Sequence, residues 1–191
     1  MDFLVQLWLP ILVSAAVVWV ASSILWMVLP FHKNDFKGVP NEGALTDVIK
    51  SGNIAPGQYY VPFCPGKDRN SPEFQARVKQ GPWAFLIVSG LAPSFARSLV
   101  LWFVNLVIVS LFVAYVSRAA LPNGTAYLPV FRIAGSAALL GYAGMFMADA
   151  TWKGSCWGDA FKRLFDGVIY ALLTAGVFGW LWPHAGAALP S

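Results

Sequence analysis

The chain has 191 residues, of which 58% are hydrophobic and 12% are charged, and its formal net charge is +4. A soluble domain has about 25% charged residues, roughly twice this fraction, so the composition excludes an ordinary soluble protein. Basic and aromatic residues do not alternate along the chain, and nucleic acid is therefore not an expected partner.

Four long apolar segments account for this composition: 3–29, 98–117, 128–148 and 167–182. Each approaches the roughly 20 apolar residues that cross a ~30 Å hydrocarbon core. Because lipid offers the backbone no hydrogen-bond partner, we expect these segments to be helices. The sequence therefore predicts an all-α membrane bundle of four transmembrane helices, with the lipid bilayer as its first partner.

The first apolar segment differs from a signal peptide. It carries Asp2 where a basic n-region would stand, and it is longer than an h-region of about 7–15 residues. We expect residues 1–30 to be an uncleaved first transmembrane helix.

The basic residues predict the orientation of this bundle. Only Arg118 and Arg132 lie on the side that holds both termini. All the others lie between the first and second spans or between the third and fourth: Lys33, Lys37, Lys50, Lys67, Arg69, Arg77, Lys79, Arg97, Lys153, Lys162 and Arg163. The positive-inside rule then places residues 31–97 in the cytoplasm and both termini in the periplasm.

Residues 31–97 predict a small α+β insert between helices 1 and 2. "NEGALTDVIKSG" reads as a helix that ends at Gly52, and "SPEFQARVKQG" as a helix with Ser71 as N-cap and Pro72 at its first position. "GQYYVPF" and "WAFLIVS" read as strands, the second one buried. So short a module buries little core, and we expect it to lean on the membrane, on another subunit or on a second copy.

Residues 98–191 are predicted to hold helices 2–4 and an amphipathic segment, 152–165. Its Trp157 and Phe161 oppose Lys162 and Arg163 in the sequence pattern. We expect this segment to lie in the membrane interface or to dock on the insert.

No catalytic motif is found in the sequence. The patterns HExxH and GxSxG, a P-loop and a dinucleotide fingerprint do not occur, which argues against an enzyme without excluding one. Cys64, Cys156 and His32 share the predicted cytoplasmic side, but they lack the CxxC spacing of a zinc site. We therefore expect free thiols, no metal and no cofactor, and a surface role for His184 on the opposite side.

Three polar residues are candidate ligand contacts, because polar groups in a membrane are costly and often functional. Asp149 ends the third span, although Lys153 four residues later equally predicts a salt bridge. Asn105 is in the middle of the second span, where it equally predicts a hydrogen bond between helices. Arg132 is one turn inside the third span and can reach outward. Asp166 is expected to interact with the positive end of the fourth helix.

Small residues recur every fourth position in the fourth span, at Gly167, Ala171, Ala175 and Gly179. The third span has Ala137 and Gly141 in a similar pattern. Helices in lipid associate through close backbone approach, which small residues permit. The pattern predicts first a tight hairpin of spans three and four, and second a face for assembly.

Several stretches resemble small bacterial inner-membrane proteins that have no assigned function. They are "GTAYLPVFRIAGSAALLGYAG", "FDGVIYALLTAGVFGWLWP", "IAPGQYYVPF" and "VKQGPWAFLIVSG". The resemblance implies a bacterial inner-membrane location and the four-span layout, and it brings no functional residues with it.

The patterns together predict a non-catalytic accessory or scaffold subunit, which packs against other membrane proteins or forms a homo-oligomer. The alternative is a small oligomeric transporter or ligand-binding membrane protein that uses Asp149, Asn105 and Arg132. An internal repeat, frequent in transporters, is not seen in the sequence.

Overall fold

The computed structural model describes residues 2–185 and is mostly helical. Met1 and residues 186–191, the end of the predicted section 98–191, lie outside the described residues. The chain forms two compact units. The helical unit comprises residues 2–36 and 94–185, and the small unit is Lys37–Pro93. Residues 31–36, which the sequence analysis assigns to the insert, thus belong to the helical unit.

Seven α-helices and two strands make up the described chain. In order they are α1 (Asp2–Ser23), α2 (Glu42–Ser51), β1 (Gly57–Val61), α3 (Pro72–Gln80), β2 (Ala84–Val88), α4 (Phe95–Ala120), α5 (Tyr127–Ala143), α6 (Phe146–Lys153) and α7 (Trp157–Trp180). A π-helical turn (Ile24–Val28) and a 3-10 turn (Pro30–His32) follow α1, and a further 3-10 turn is Gly66–Asp68.

The small unit has the predicted order helix, strand, helix, strand. The side chain of Asn41 accepts a hydrogen bond from the Ala44 N–H at the start of α2, and Ser71 does the same for Phe74 in α3. Strands β1 and β2 pair antiparallel. The expectation that the second strand is buried is wrong: no residue of β2 is fully buried. A sheet of two strands is too small to enclose either one.

Three helical stretches among the described residues are long and apolar enough to cross a membrane: Phe3–Val28, Phe95–Ala120 and Tyr127–Lys153. They overlap three of the four predicted spans. Most of the fourth predicted span lies in α7, which begins at Trp157 and continues unbroken to Trp180. Most of the predicted interfacial segment 152–165 is therefore the first part of α7 and not a separate helix.

One apolar core joins α1, α4, α5 and α7. Helices α5 and α7 approach closely along the small residues of α7. A Cβ atom added at Gly167 would lie 2.8 Å from the Cβ atom of Ala143, and one at Gly179 would lie 2.7 Å from the ring of Tyr127. Ala171 and Ala175 are buried in the same face. These four residues therefore pack inside the chain.

The small residues of α5 divide between two neighbours. A Cβ atom added at Gly141 would lie 2.9 Å from a methyl group of Val109, which is in α4 and not in α7. Ala137 is half-buried at the edge of the core. The close approach of α5 to α7 uses Ala143 and Gly135 instead, the latter against Ala175.

Candidate functional site

The three polar residues that the sequence singles out lie in different surroundings. Asn105 is exposed on α4. Asp149 forms a surface ion pair with Lys153, with 2.7 Å between Oδ1 and Nζ. Arg132 lines a cavity of about 270 Å³ between α5 and α7, and neither Asn105 nor Asp149 lines it. The described structure does not bring these three residues together.

The candidate thiols and histidine are also separate features. Cys64 is half-buried in the small unit, and Cys156 is exposed just before α7. His32 is buried in the helical unit. Among residues 2–185, no group of three or more His, Cys, Asp and Glu side chains is arranged to hold a metal ion.

A buried group of charged side chains lies where the turn after α1 meets the first half of α7. This charge cluster consists of His32, Asp35, Lys162 and Asp166. The Asp35 carboxylate accepts a hydrogen bond from Lys162 Nζ at one oxygen, and its other oxygen is 2.5 Å from Nδ1 of His32. Nε2 of His32 is 3.0 Å from Oδ2 of Asp166. The histidine ring thus lies between two carboxylates.

The turn after α1 brings His32 back over the end of its own helix. The π-helical turn ends before Pro30, which starts the 3-10 turn that contains His32. The imidazole stacks on Trp26, with ring centroids 4.0 Å apart and planes 3° from parallel. Phe31 packs edge-on against Phe165 of α7. These aromatic contacts fix the histidine at the surface of α7.

The proton balance of the charge cluster follows from its geometry. A neutral imidazole has one N–H group, so it can donate to only one of the two neighbouring carboxylates. Hydrogen bonds at both ring nitrogens therefore need either an imidazolium or a proton on one of the two carboxyls. With an imidazolium, two cations face two anions and the cluster is neutral. Desolvation raises the pKa of the Asp35 carboxyl, but hydrogen bonds from Lys162 and His32 outweigh it and hold this pKa below its ordinary value.

A cavity of about 350 Å³ adjoins the cluster and is mainly apolar. Its walls come from α1, the π-helical turn, α4, α5, α6 and α7: Ser22, Ser23, Trp26, Met27, Phe95, Leu99, Trp102, Tyr142, Phe146, Arg163, Asp166 and Tyr170. The indole N–H of Trp102 donates to the Ser22 hydroxyl over 2.9 Å, which fixes one wall. Met27 and Phe95 are more than half exposed, so the cavity opens on their side.

Two polar groups in the cavity wall are incompletely bonded. Within the described residues, neither oxygen of Asp166 nor the hydroxyl of Tyr170 has a hydrogen-bond partner of good geometry, although both residues are 5% exposed or less. Asp166 has Nε2 of His32 at 3.0 Å from one oxygen, and the Trp26 indole is the other nearby donor for Asp166 and for Tyr170. Buried polar groups are nearly always hydrogen-bonded, so an exception calls for an explanation.

The sequence analysis missed this site, although α7 carries a signal for it. Lys162, Asp166, Tyr170 and Thr174 recur every fourth residue, beside the row of small residues. Residues at this spacing share a helix face. The other half of the cluster, His32 and Asp35, comes from a turn whose course the sequence pattern does not reveal.

No protein-family model, curated protein or solved structure matches the chain. The resemblance to small bacterial inner-membrane proteins therefore stays a prediction. The proposed function therefore depends on the cavity and on two buried polar groups in its wall, the Asp166 carboxylate and the Tyr170 hydroxyl.

Proposed function

We propose that this protein binds a small ligand in the cavity beside Asp166, without chemically changing it. The observation that carries the proposal is a pair of buried polar groups in a mainly apolar cavity wall, the Asp166 carboxylate and the Tyr170 hydroxyl, neither of which has a hydrogen bond of good geometry within the described residues. Binding sites for small molecules are typically apolar cavities of about 300–1,000 Å³ with a few polar groups that fix orientation. A ligand with a hydrogen-bond donor would satisfy Asp166.

We also propose that the chain is a four-span bacterial inner-membrane protein, with α7 as the fourth span and both termini in the periplasm. Three helices of suitable length and hydropathy support the membrane location. The basic residues Lys153, Lys162 and Arg163 support a cytoplasmic position for the start of α7. The ligand cavity would then be at the cytoplasmic end of the bundle.

The accessory or scaffold function stays a prediction. One of its supports in the sequence is the row of small residues on α7, and that row packs against α5 inside the chain. The transporter alternative needs Asp149, Asn105 and Arg132 around one pocket, and they lie apart. The proposed function keeps ligand binding from that alternative, but it uses Asp166 and Tyr170 in place of those three residues.

Native mass spectrometry of protein extracted from its own membranes in a mild detergent tests this function. We expect a single non-covalent mass on the wild-type chain, lost in Asp166→Asn and reduced in Tyr170→Phe. Asp149→Asn is the matched control, because it makes the same chemical change at a surface ion pair, and it should retain the mass. A chain without added mass, or one that keeps it in folded Asp166→Asn, would contradict the proposal. A mass of several chains would support the predicted oligomer.

A further inference from the structure

The two charged residues that line the cavity have opposite signs and lie three positions apart on α7. Arg163 and Asp166 are therefore neighbours on the helix surface, with Cβ atoms about 5–6 Å apart. Asp166 is 3% exposed, whereas Arg163 is half-buried. The cavity thus presents an anion at its buried wall and a cation nearer to solvent.

The buried wall suits a positively charged group. The carboxylate of Asp166 has His32 beside one oxygen, and neither oxygen has a hydrogen bond of good geometry within the described structure. Six aromatic side chains line the same cavity: Trp26, Phe95, Trp102, Tyr142, Phe146 and Tyr170. The faces of aromatic rings attract cations, and ammonium ligands are commonly bound by such rings. A carboxylate among aromatic rings is accordingly a favourable site for an ammonium group.

The outer wall suits an acidic group. The guanidinium carbon of Arg163 lies 6.0 Å from the ring centroid of Trp26, which supports the side chain beside the cavity. A guanidinium has five N–H donors in a planar arrangement that matches carboxylates and phosphates. An acidic ligand group would therefore bind here, one helical turn from the ammonium group on Asp166.

Given the binding function proposed above, we propose that the ligand is a zwitterionic amphiphile. Its ammonium group contacts Asp166 and the hydroxyl of Tyr170, and its acidic group contacts Arg163. Its apolar body packs against Leu99 and Phe146. A phospholipid headgroup and a free zwitterion share this chemistry. The retained mass in native mass spectrometry separates them, since a phospholipid has two acyl chains.

The test uses the full chain in dodecyl maltoside and three probes that share an eight-carbon tail. Octylphosphoethanolamine is zwitterionic, octylammonium is cationic and octyl phosphate is anionic, and the first two have ammonium N–H donors. The rise in thermal unfolding midpoint with probe concentration gives the apparent affinity. For the wild type we expect octylphosphoethanolamine to bind at least tenfold more tightly than either of the other two probes.

Two variants separate the two contacts. Asp166→Asn should weaken the binding of octylphosphoethanolamine and octylammonium about tenfold and leave that of octyl phosphate unchanged. Arg163→Gln should weaken the binding of octylphosphoethanolamine and octyl phosphate about tenfold and leave that of octylammonium unchanged. The controls Asp149→Asn and Arg132→Gln should match the wild type with all three probes. If Asp166→Asn fails to fold, Tyr170→Phe takes its place, with a smaller loss for the two ammonium probes.

The outcomes distinguish the inference from the function on which it rests. The proposal of a zwitterionic ligand is wrong if the three probes bind equally. It is also wrong if the preference for the zwitterionic probe survives in folded Asp166→Asn and Arg163→Gln. A loss of binding in Arg132→Gln would also overturn it, because the probes would then occupy the other cavity. If no probe binds while a mass that depends on Asp166 persists in native mass spectrometry, only the ligand class fails. If that mass is absent too, the binding function fails with it.

Discussion

At the scale of single residues, two buried carboxylates of the helical unit have contrasting surroundings. Asp35 is bonded to Lys162 and to His32, and its side chain is 2% exposed. Asp166 is similarly buried, but His32 is the one charged group within ion-pair distance of it among the described residues, through Nε2, and its side chain also lines the cavity. We therefore assign Asp35 to stability and Asp166 to ligand binding.

Tyr170→Phe separates binding from stability. The ring of Tyr170 packs edge-on against Tyr142, with centroids 5.8 Å apart, and the substitution retains this contact while it removes an unpartnered hydroxyl. We expect the free energy of unfolding to stay constant or to rise by up to about 1 kcal/mol. Thermal unfolding in detergent measures it. Tyr142→Phe is the control: its hydroxyl is 3.4 Å from that of Thr174, and its loss should destabilise by about 1 kcal/mol.

Asp35→Asn should destabilise the helical unit by about 2–3 kcal/mol. It removes the anion that joins Lys162 to His32 and leaves buried positive charge without its partner. Lys162 is 29% exposed, so we place the effect below the full range for a buried pair. Asp149→Asn breaks an exposed pair and should cost less than about 1 kcal/mol. Chemical denaturation measures the free energy of unfolding of both variants. Equal losses would show that the charge cluster does not stabilise the fold.

The free energy of unfolding should depend on pH in part through Asp35. Its pKa is lower in the folded chain than the ordinary value of 3.8, so unfolding takes up a proton near this pH. The stabilisation that Asp35 provides is complete above about pH 4. It decreases as the pH falls below the ordinary pKa of 3.8 and through the lower pKa of the folded chain. In unfolding midpoints between pH 2 and 6, we expect the wild type to lose more stability than Asp35→Asn below pH 4. Parallel curves would contradict the ion pair.

At the scale of secondary-structure elements, local signals predicted much of the fold. Caps and periodicity predicted α2 and α3, and β-favouring residues predicted β1 and β2, because these signals lie within a few neighbouring residues. The junction at residues 152–165 was mistaken for a separate helix, since its charges resemble an interface. One of those charges, Lys162, instead bonds to Asp35 in a turn more than 120 positions earlier in the chain. Sequence periodicity does not encode such a pairing.

The packing of α7 on α5 predicts opposite effects for two glycines of the same helix. A Cβ atom at Gly167 would lie 2.8 Å from the Cβ atom of Ala143 and 3.3 Å from its backbone, so Gly167→Ala should destabilise by about 1–3 kcal/mol. A Cβ atom at Gly176 would meet only the Tyr127 hydroxyl, at 3.7 Å. Gly176→Ala should be neutral or stabilise by up to about 1 kcal/mol. Thermal unfolding of both variants measures the two effects. If Gly176→Ala destabilised the chain more than Gly167→Ala, the close contact between α5 and α7 would be refuted.

At the scale of the whole molecule, the proposed topology predicts which cysteines a membrane-impermeant maleimide can reach. Cys156 is exposed and Cys64 is half-buried, and both are assigned to the cytoplasm. In intact spheroplasts neither should react, and Cys156 should react after permeabilisation. A chain with both cysteines replaced by Ser and with His184→Cys should react before permeabilisation. Labelling of Cys156 in intact spheroplasts would invert the topology.

The measurement that tests the central claim most directly is an experimental structure of the protein purified from its own membranes in a mild detergent. We expect density that is not protein in the cavity between Trp26, Trp102 and Tyr170, within hydrogen-bond distance of the Asp166 carboxylate. An empty or collapsed cavity, with Asp166 bonded to protein groups alone, would contradict ligand binding. Such a structure would assign Asp166 to the internal stability of the bundle.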